Sequence, residues 1–170
     1  IAKPPDTHVM FNLMKSNINQ IVLLEKIHGN AAALLTEQGF TDVREIGSAL
    51  SDADLIDALQ HASAVGIRSG THMSATVLDA LPNLRTIACF CIGTNQVDLH
   101  AACMRGIPVF NAPFSNTRSV AELVIAQAIL LLRRIPEKNA MAHRGQWDKD
   151  AQGAFEVRNK VLGIIGYGNI

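Results

Sequence analysis

The sequence predicts an α/β fold built on a parallel sheet. Short apolar, β-branched runs recur along the first two-thirds of the chain. Helical segments separate them, and glycine, proline or a capping residue marks each change. Of the 170 residues, 48% are apolar, which is enough to build a substantial core. Fifteen basic and fifteen acidic residues cancel, so the composition offers no electrostatic footprint for nucleic acid or an anionic membrane surface.

Residues 1 to about 19 lack a clear period and read as an arm. Residues 20–24 are a first apolar strand. Residues 31–35 are helical, and Gly39 is a natural C-cap. A second strand follows at 43–46. Ser51-Asp52-Ala53-Asp54 opens a helix, with an acid three residues after the serine. A third strand occupies 64–67, and Ser74 starts a helix that ends before Pro82. The fourth strand is 84–90. Asp98 caps a helix through Arg105, Gly106 stops it, and 107–110 is the fifth strand. Five strands separated by helices suggest a flavodoxin-like sheet, although spacing alone does not give the strand order.

The rhythm changes after Pro113, which places a domain boundary near residue 112: 1–111 and 112–170. A long helix is expected with its cap between Asn116 and Ser119, where Ser119-Val120-Ala121-Glu122 fits a capping box. Its body, 123–132, is apolar on nearly every side, so it belongs in a core or between subunits. Arg133 and Arg134 suit its C-terminal dipole, and Pro136 breaks or kinks it. A second helical stretch runs to about His143 and stops at Gly145. Residues 147–160 read as a polar surface loop. Residues 161–165 read as a buried strand leading into Gly166-Tyr167-Gly168, the start of a Rossmann nucleotide-binding domain.

A strand followed by G-x-G is how a dinucleotide-binding unit begins. Gly166 permits the tight turn, and Gly168 lets a pyrophosphate approach the backbone. The third glycine and the ribose-binding acid of that fingerprint fall beyond Ile170. Glycines also commonly follow strands, so an ordinary loop is the alternative.

In a parallel sheet, ligands gather beyond the carboxyl ends of the strands. Three loops lie there: 68–72, 91–95 and 111–116. The Arg68 guanidinium can fork two oxygens of a phosphate or carboxylate, with a surface salt bridge as the alternative. Ser69, Gly70 and Thr71 add hydroxyls and close amides that suit an anion. Gly93-Thr94 forms a second such loop, where Thr94 either donates to a ligand oxygen or caps the turn before Asp98. His72 and His143 are acid–base candidates, or simply hold their loops. Glu122 reads as a capping residue rather than a base. Cys89, Cys91 and Cys103 are an odd number with no C-x-x-C, as expected of reduced thiols in a cytoplasmic protein. No histidine pair has metal spacing. The longest apolar stretch, 120–132, is interrupted by Glu122 and Gln127 and is shorter than the roughly 20 residues of a bilayer span. Ile1-Ala2-Lys3-Pro4-Pro5 is no signal peptide, and a start other than Met suggests processing or truncation.

Four runs go further: CFCIGTNQVD at 89–98, GIPVFNAPFSNTRSVAE at 106–122, AHRG at 142–145 and GIIGYG at 163–168. Together they closely resemble the D-isomer-specific 2-hydroxyacid dehydrogenases, in the bacterial and fungal branch that carries a C-terminal regulatory ACT domain. The resemblance covers roughly 18–170. It implies hydride transfer between C2 of 3-phosphoglycerate and the nicotinamide of NAD, the first committed step of serine synthesis. It also implies a substrate domain split across both ends of the chain around a nucleotide domain, and a homo-oligomer formed through the helix around 117–134.

Matched by motif, Arg68 resembles the phosphate-binding arginine. The backbone of Ser69, Gly70 and Gly93 resembles the carboxylate grip, and Thr94 a nicotinamide-side contact. Gly166, Gly168, Asn169 and Ile170 resemble the pyrophosphate turn. Two positions depart from the pattern. Gly70 stands where close relatives often carry a second arginine, and Asn169 replaces a His or Arg. The family's catalytic arginine, histidine and glutamate correspond to positions beyond residue 170, so no catalytic residue is assigned and the chain alone is expected to be inactive. The alternatives are a dehydrogenase for another D-2-hydroxyacid and a non-catalytic dimerising fragment.

Overall fold

Alternation along the first strand sets how the sheet is buried. Val22 and Leu24 enter one core cluster, Ile21 and Leu23 another, and all four are buried. The computed structural model describes residues 18–166 and Gly168, so the expected arm lies almost wholly outside the described residues. Five strands, β1 (Ile21–Leu23), β2 (Val43–Glu45), β3 (Ala64–Ile67), β4 (Thr86–Cys89) and β5 (Val109–Asn111), form one parallel sheet. Its order is β2-β1-β3-β4-β5, the flavodoxin-like arrangement.

Each crossover carries a helix: α1 (Asn30–Glu37), α2 (Asp52–Leu59), α3 (Ala75–Asp79) and α4 (Leu99–Met104). Three are capped where the sequence indicates. Ser51 accepts the Asp54 amide at 3.4 Å, Ser74 that of Val77 at 3.3 Å, and Asp98 that of Ala101 at 2.9 Å. Gly39 and Gly106 follow α1 and α4 with φ of 83° and 68°, values that glycine adopts without a steric penalty. Leu55 and Leu59 of α2, Val77 and Leu78 of α3 and Ala102 of α4 pack with Val65, Ile67 and Ile87 on one side of the sheet. Ala31, Ala32 and Leu35 of α1 pack with Ile21, Leu23 and Ala64 on the other. The register that pairs Gly66 with Ala88 and Ala88 with Phe110 leaves part of this second side open, with Phe110 62% exposed.

The described chain divides into two compact units, Ile1–Pro113 and Phe114–Ile170. The second holds α5 (Thr117–Leu132) and α6 (Ile135–His143). Two expectations need correction here. Ser119 lies inside α5 and makes no capping box; Glu122 instead takes the Arg118 Nε–H at 2.8 Å, one turn away. Of the two places expected for the apolar body of α5, the core of the described chain is not the one it takes, since Leu123, Ile125 and Leu131 are exposed. Residues 161–165 form no strand. A strand needs a neighbour to take its N–H and C=O groups, and these residues have no ladder partner among the described residues, with Val161 97% exposed. Arg134 does more than complement a helix dipole. It adopts φ 54°, turns the chain from α5 into α6 and pairs with Glu137 at 2.5 Å. Lys138 pairs with Asp148 at 3.0 Å, and Phe155 N–H donates to the Leu132 carbonyl at 2.8 Å, so the loop after α6 is fastened back onto the helices.

Close packing at β3 gives a prediction. A Cβ at Gly66 would stand 2.7 Å from Leu23 Cδ2 and 2.9 Å from Phe90 Cε2. Gly66→Ala is therefore expected to destabilise the first unit by about 1–3 kcal/mol through overpacking. Urea unfolding measures it, and an unchanged midpoint would contradict the packing described.

Candidate functional site

β3 and β4 are neighbours at the centre of the sheet, so the loops leaving their carboxyl ends lie side by side. Hydrogen bonds then stitch these loops together. Gln96 is 4% exposed, and its Nε2 donates to the Arg68 carbonyl at 3.2 Å, to Cys91 Sγ at 3.2 Å and to the Gly93 carbonyl at 3.4 Å. Met73 N–H donates to the Gln96 carbonyl at 2.8 Å, and Asp98 N–H to that of Met73 at 2.9 Å. The loop after β5 joins from the other side: Asn111 Nδ2 donates to the Ile92 carbonyl at 2.7 Å, and Ala112 N–H to that of Cys91 at 3.0 Å.

The loop after β1 adds a carboxylate. Glu25 Oε1 accepts the amides of Arg68 and Thr71, both at 2.9 Å, and Oε2 accepts that of Gly70 at 2.8 Å. The Thr71 hydroxyl lies beside this carboxylate but meets no hydrogen-bond geometry of its own, so the amides carry the grip. Burial acts to raise the Glu25 pKa. The nearby Thr71 hydroxyl, by its dipole, and the three amides, by direct hydrogen bonds, outweigh it and hold the carboxyl below its ordinary 4.5.

Arg68, Ser69, Gly70, Gly93 and Thr94 thus converge at one end of the sheet, within the first unit. Arg68 is exposed and forms no ion pair among the described residues. One guanidinium nitrogen stands 3.5 Å from the Glu25 carbonyl. The Gly70 amide is committed to Glu25, whereas that of Ser69 is not. Thr94 accepts the Val97 amide on its carbonyl at 2.9 Å, and its hydroxyl has no partner among the described residues. Gly166 and Gly168 belong to the second unit and are exposed; Gly166 has φ 92°, in the left-handed region that suits a glycine turn. Asn169 and Ile170 lie outside the described residues. His72 is exposed, and His143 ends α6. Burial, with Cys91 adding, pushes the Cys89 thiol up to about 11, which disfavours thiolate chemistry at neutral pH. Among the described residues no cluster of metal-ligating side chains occurs, and no helix is long and apolar enough to cross a membrane.

Glu25 and Gln96 are the two site residues that sequence reasoning missed. Glu25 directly follows the apolar run of β1, so its place at a carboxyl end was legible. Its partners, 43 to 46 residues away, were not.

The family model of the D-isomer specific 2-hydroxyacid dehydrogenase catalytic domain matches residues 21–162. D-3-phosphoglycerate dehydrogenase of Escherichia coli (strain K12) is 55% identical over 151 residues, which is 89% of this chain and 37% of that enzyme. The chain therefore spans little more than a third of that curated relative. Among solved structures, an NADPH-dependent glyoxylate/hydroxypyruvate reductase from Sinorhizobium meliloti, in complex with NADP and malonate, superposes with a TM-score of 0.69 at 26% identity. The match covers 89% of this chain and 47% of that one. An NAD-dependent formate dehydrogenase from Staphylococcus aureus, in complex with NAD, gives 0.62 at 26% identity, over 76% and 43%.

The Glu25 grip predicts an acid dependence. A carboxyl whose folded pKa is depressed contributes stability that is complete above its unfolded value, here near 4.5, and is lost as pH falls through the lower folded value. Glu25→Gln should cost about 1–3 kcal/mol near neutral pH. The gap from the unsubstituted chain should narrow as pH falls below the ordinary glutamate value and through the lower folded one. Urea titrations across that range check it; a gap that is constant with pH would contradict the charged grip.

Proposed function

Because the chain belongs to the D-isomer-specific 2-hydroxyacid dehydrogenase family, we propose that it forms the substrate-holding segment and the start of the cofactor site of a D-3-phosphoglycerate dehydrogenase. The reaction is oxidation of 3-phosphoglycerate to 3-phosphohydroxypyruvate at the entry to serine synthesis, in the cytoplasm. The observation that carries the reading is Arg68: an exposed cation with no ion pair among the described residues, set on a loop stitched to Gly93.

In this reading the Arg68 fork takes the substrate phosphate, for which its planar donors are suited. The Ser69, Gly70 and Gly93 segments take the carboxylate. The Gly70 amide already serves Glu25, so the amides of Ser69 and Gly93 are the donors assigned to the substrate. Thr94, whose hydroxyl has no partner among the described residues, faces the nicotinamide side. Gly166, Gly168, Asn169 and Ile170 form the pyrophosphate turn. The left-handed Gly166, with nothing within 4 Å of the place a Cβ would occupy, fits such an approach. NAD, when bound, supplies the hydride acceptor. No residue of 1–170 is given the acid–base role, so the chain alone holds substrate without turning it over.

Residues 1–111 are assigned to an N-terminal arm and the first segment of the substrate domain, and 112–170 to the start of the nucleotide domain. The open side of β4 and β5 around Phe110 supports a substrate domain completed by a further segment. The exposed apolar face of α5 supports a homo-oligomer. A plain 2-hydroxyacid is the second reading, favoured by glycine at position 70 where a second phosphate-binding arginine is common in the family.

Two outcomes are expected. In calorimetric titration, 3-phosphoglycerate should bind more tightly than D-glycerate, and Arg68→Ala should weaken the phosphorylated ligand by about tenfold or more, the scale of a charge-assisted pair, while leaving D-glycerate nearly unchanged. Equal affinity for the two ligands would favour the second reading. In light scattering, Ile125→Glu should shift the chain towards monomer; a chain already monomeric at high concentration would remove α5 as an interface.

A further inference from the structure

We propose that Glu25 is a positioning residue for substrate binding: by accepting the amides of Arg68, Gly70 and Thr71, it sets the direction in which the Arg68 guanidinium leaves the sheet. The proposal rests on the reading of Arg68 as the phosphate-binding group.

Three features of the structure support it. First, a single carboxylate satisfies three of the four amides in the run 68–71, at 2.8–2.9 Å. Charge-assisted bonds of this kind are short and directional. Arg68 Nη1 also lies 3.5 Å from the Glu25 carbonyl, so backbone and guanidinium of Arg68 are both referred to the same residue. The carboxylate itself is not in salt-bridge contact with Arg68, which leaves the cation for a ligand anion.

Second, the chain takes an unfavourable path to place this carboxylate. Glu25 and Lys26 have φ of 60° and 51°, two successive left-handed residues, neither of them glycine. Such conformations persist where surrounding contacts enforce them. Here the buried Leu24 and Ile27 anchor both ends of the turn, and Leu24 N–H donates to the Gly66 carbonyl at 2.9 Å.

Third, Gly70 leaves the carboxylate its place. A Cβ there would stand 2.9 Å from Glu25 Oε2 and 3.5 Å from the Ala49 Cβ. A side chain at position 70 therefore presses on the carboxylate end, which ties the departure at Gly70 to the aim of Arg68. Glu25 touches no substrate in this scheme and acts through Arg68.

The test uses the full chain. Calorimetric titration with 3-phosphoglycerate, and separately with inorganic phosphate, gives affinity. Amide NMR spectra report Arg68, Gly70 and Thr71, and thermal unfolding reports stability. At temperatures where it remains folded, Glu25→Gln is expected to weaken 3-phosphoglycerate by about tenfold or more, the scale set by a misplaced binding group, and to shift the three amide resonances. Glu25→Asp should recover part of both, and Gly70→Ala should weaken binding in the same direction. A lower melting temperature with affinity within about twofold of the unsubstituted chain would mean a merely structural role and overturn the proposal. So would unchanged amide resonances in Glu25→Gln. If the unsubstituted chain binds neither 3-phosphoglycerate nor phosphate, the substrate reading of Arg68 falls and takes the proposal with it. If binding is strong and indifferent to Glu25, only the positioning role falls.

Discussion

β3 is hydrogen-bonded on both sides, to β1 and to β4, and all four of its residues are buried. A strand in that position cannot shift register by one residue without turning Val65 and Ile67 out of their core. Its carboxyl end is therefore fixed, and with it the point at which Arg68 emerges. Parallel pairing with β4 fixes the neighbouring exit at the same end of the sheet. The convergence of the Arg68 and Gly93 loops follows from this pairing rather than from any attraction between the loops themselves.

Polar groups then convert proximity into a defined shape. Loops at strand ends carry amides and carbonyls that the ladder does not satisfy, and leaving them unpaired in a partly buried place is costly. Glu25 takes three such amides, and Gln96 serves two such carbonyls and a cysteine sulfur. One acid and one amide side chain thus hold the loops that carry the candidate ligand groups. A loop whose amides already grip an internal carboxylate is pre-ordered, which would lower the ordering cost of any ligand it binds.

The second unit shows the opposite condition. Its helices are formed, and Arg134 and Lys138 fasten the loop that follows, yet large apolar side chains on α5 remain exposed. Apolar surface left in water costs on the order of 25 cal/mol per Å².

Much of residues 20–113 was legible because burial writes a local pattern. Short continuous apolar runs located β1 and β3, and Ser51, Ser74 and Asp98 located helix starts to within a residue. The candidate loops were legible as positions too, since in a parallel sheet they follow the strands. Three things were not. The capping box at Ser119 matched a motif, but the helix starts at Thr117, so Ser119 lies inside its first turn and Glu122 pairs with Arg118 instead. The apolar run 161–165 had the composition of a strand, but composition supplies no ladder partner. The Glu25 grip joins residues more than forty positions apart and leaves no periodicity to read. Local pattern and side-chain chemistry were enough to mark most elements of the first unit, the sheet type and candidate anion-holding residues. Only the tertiary structure decided the strand order and which carboxylate holds the Arg68 loop, because both depend on where distant segments meet.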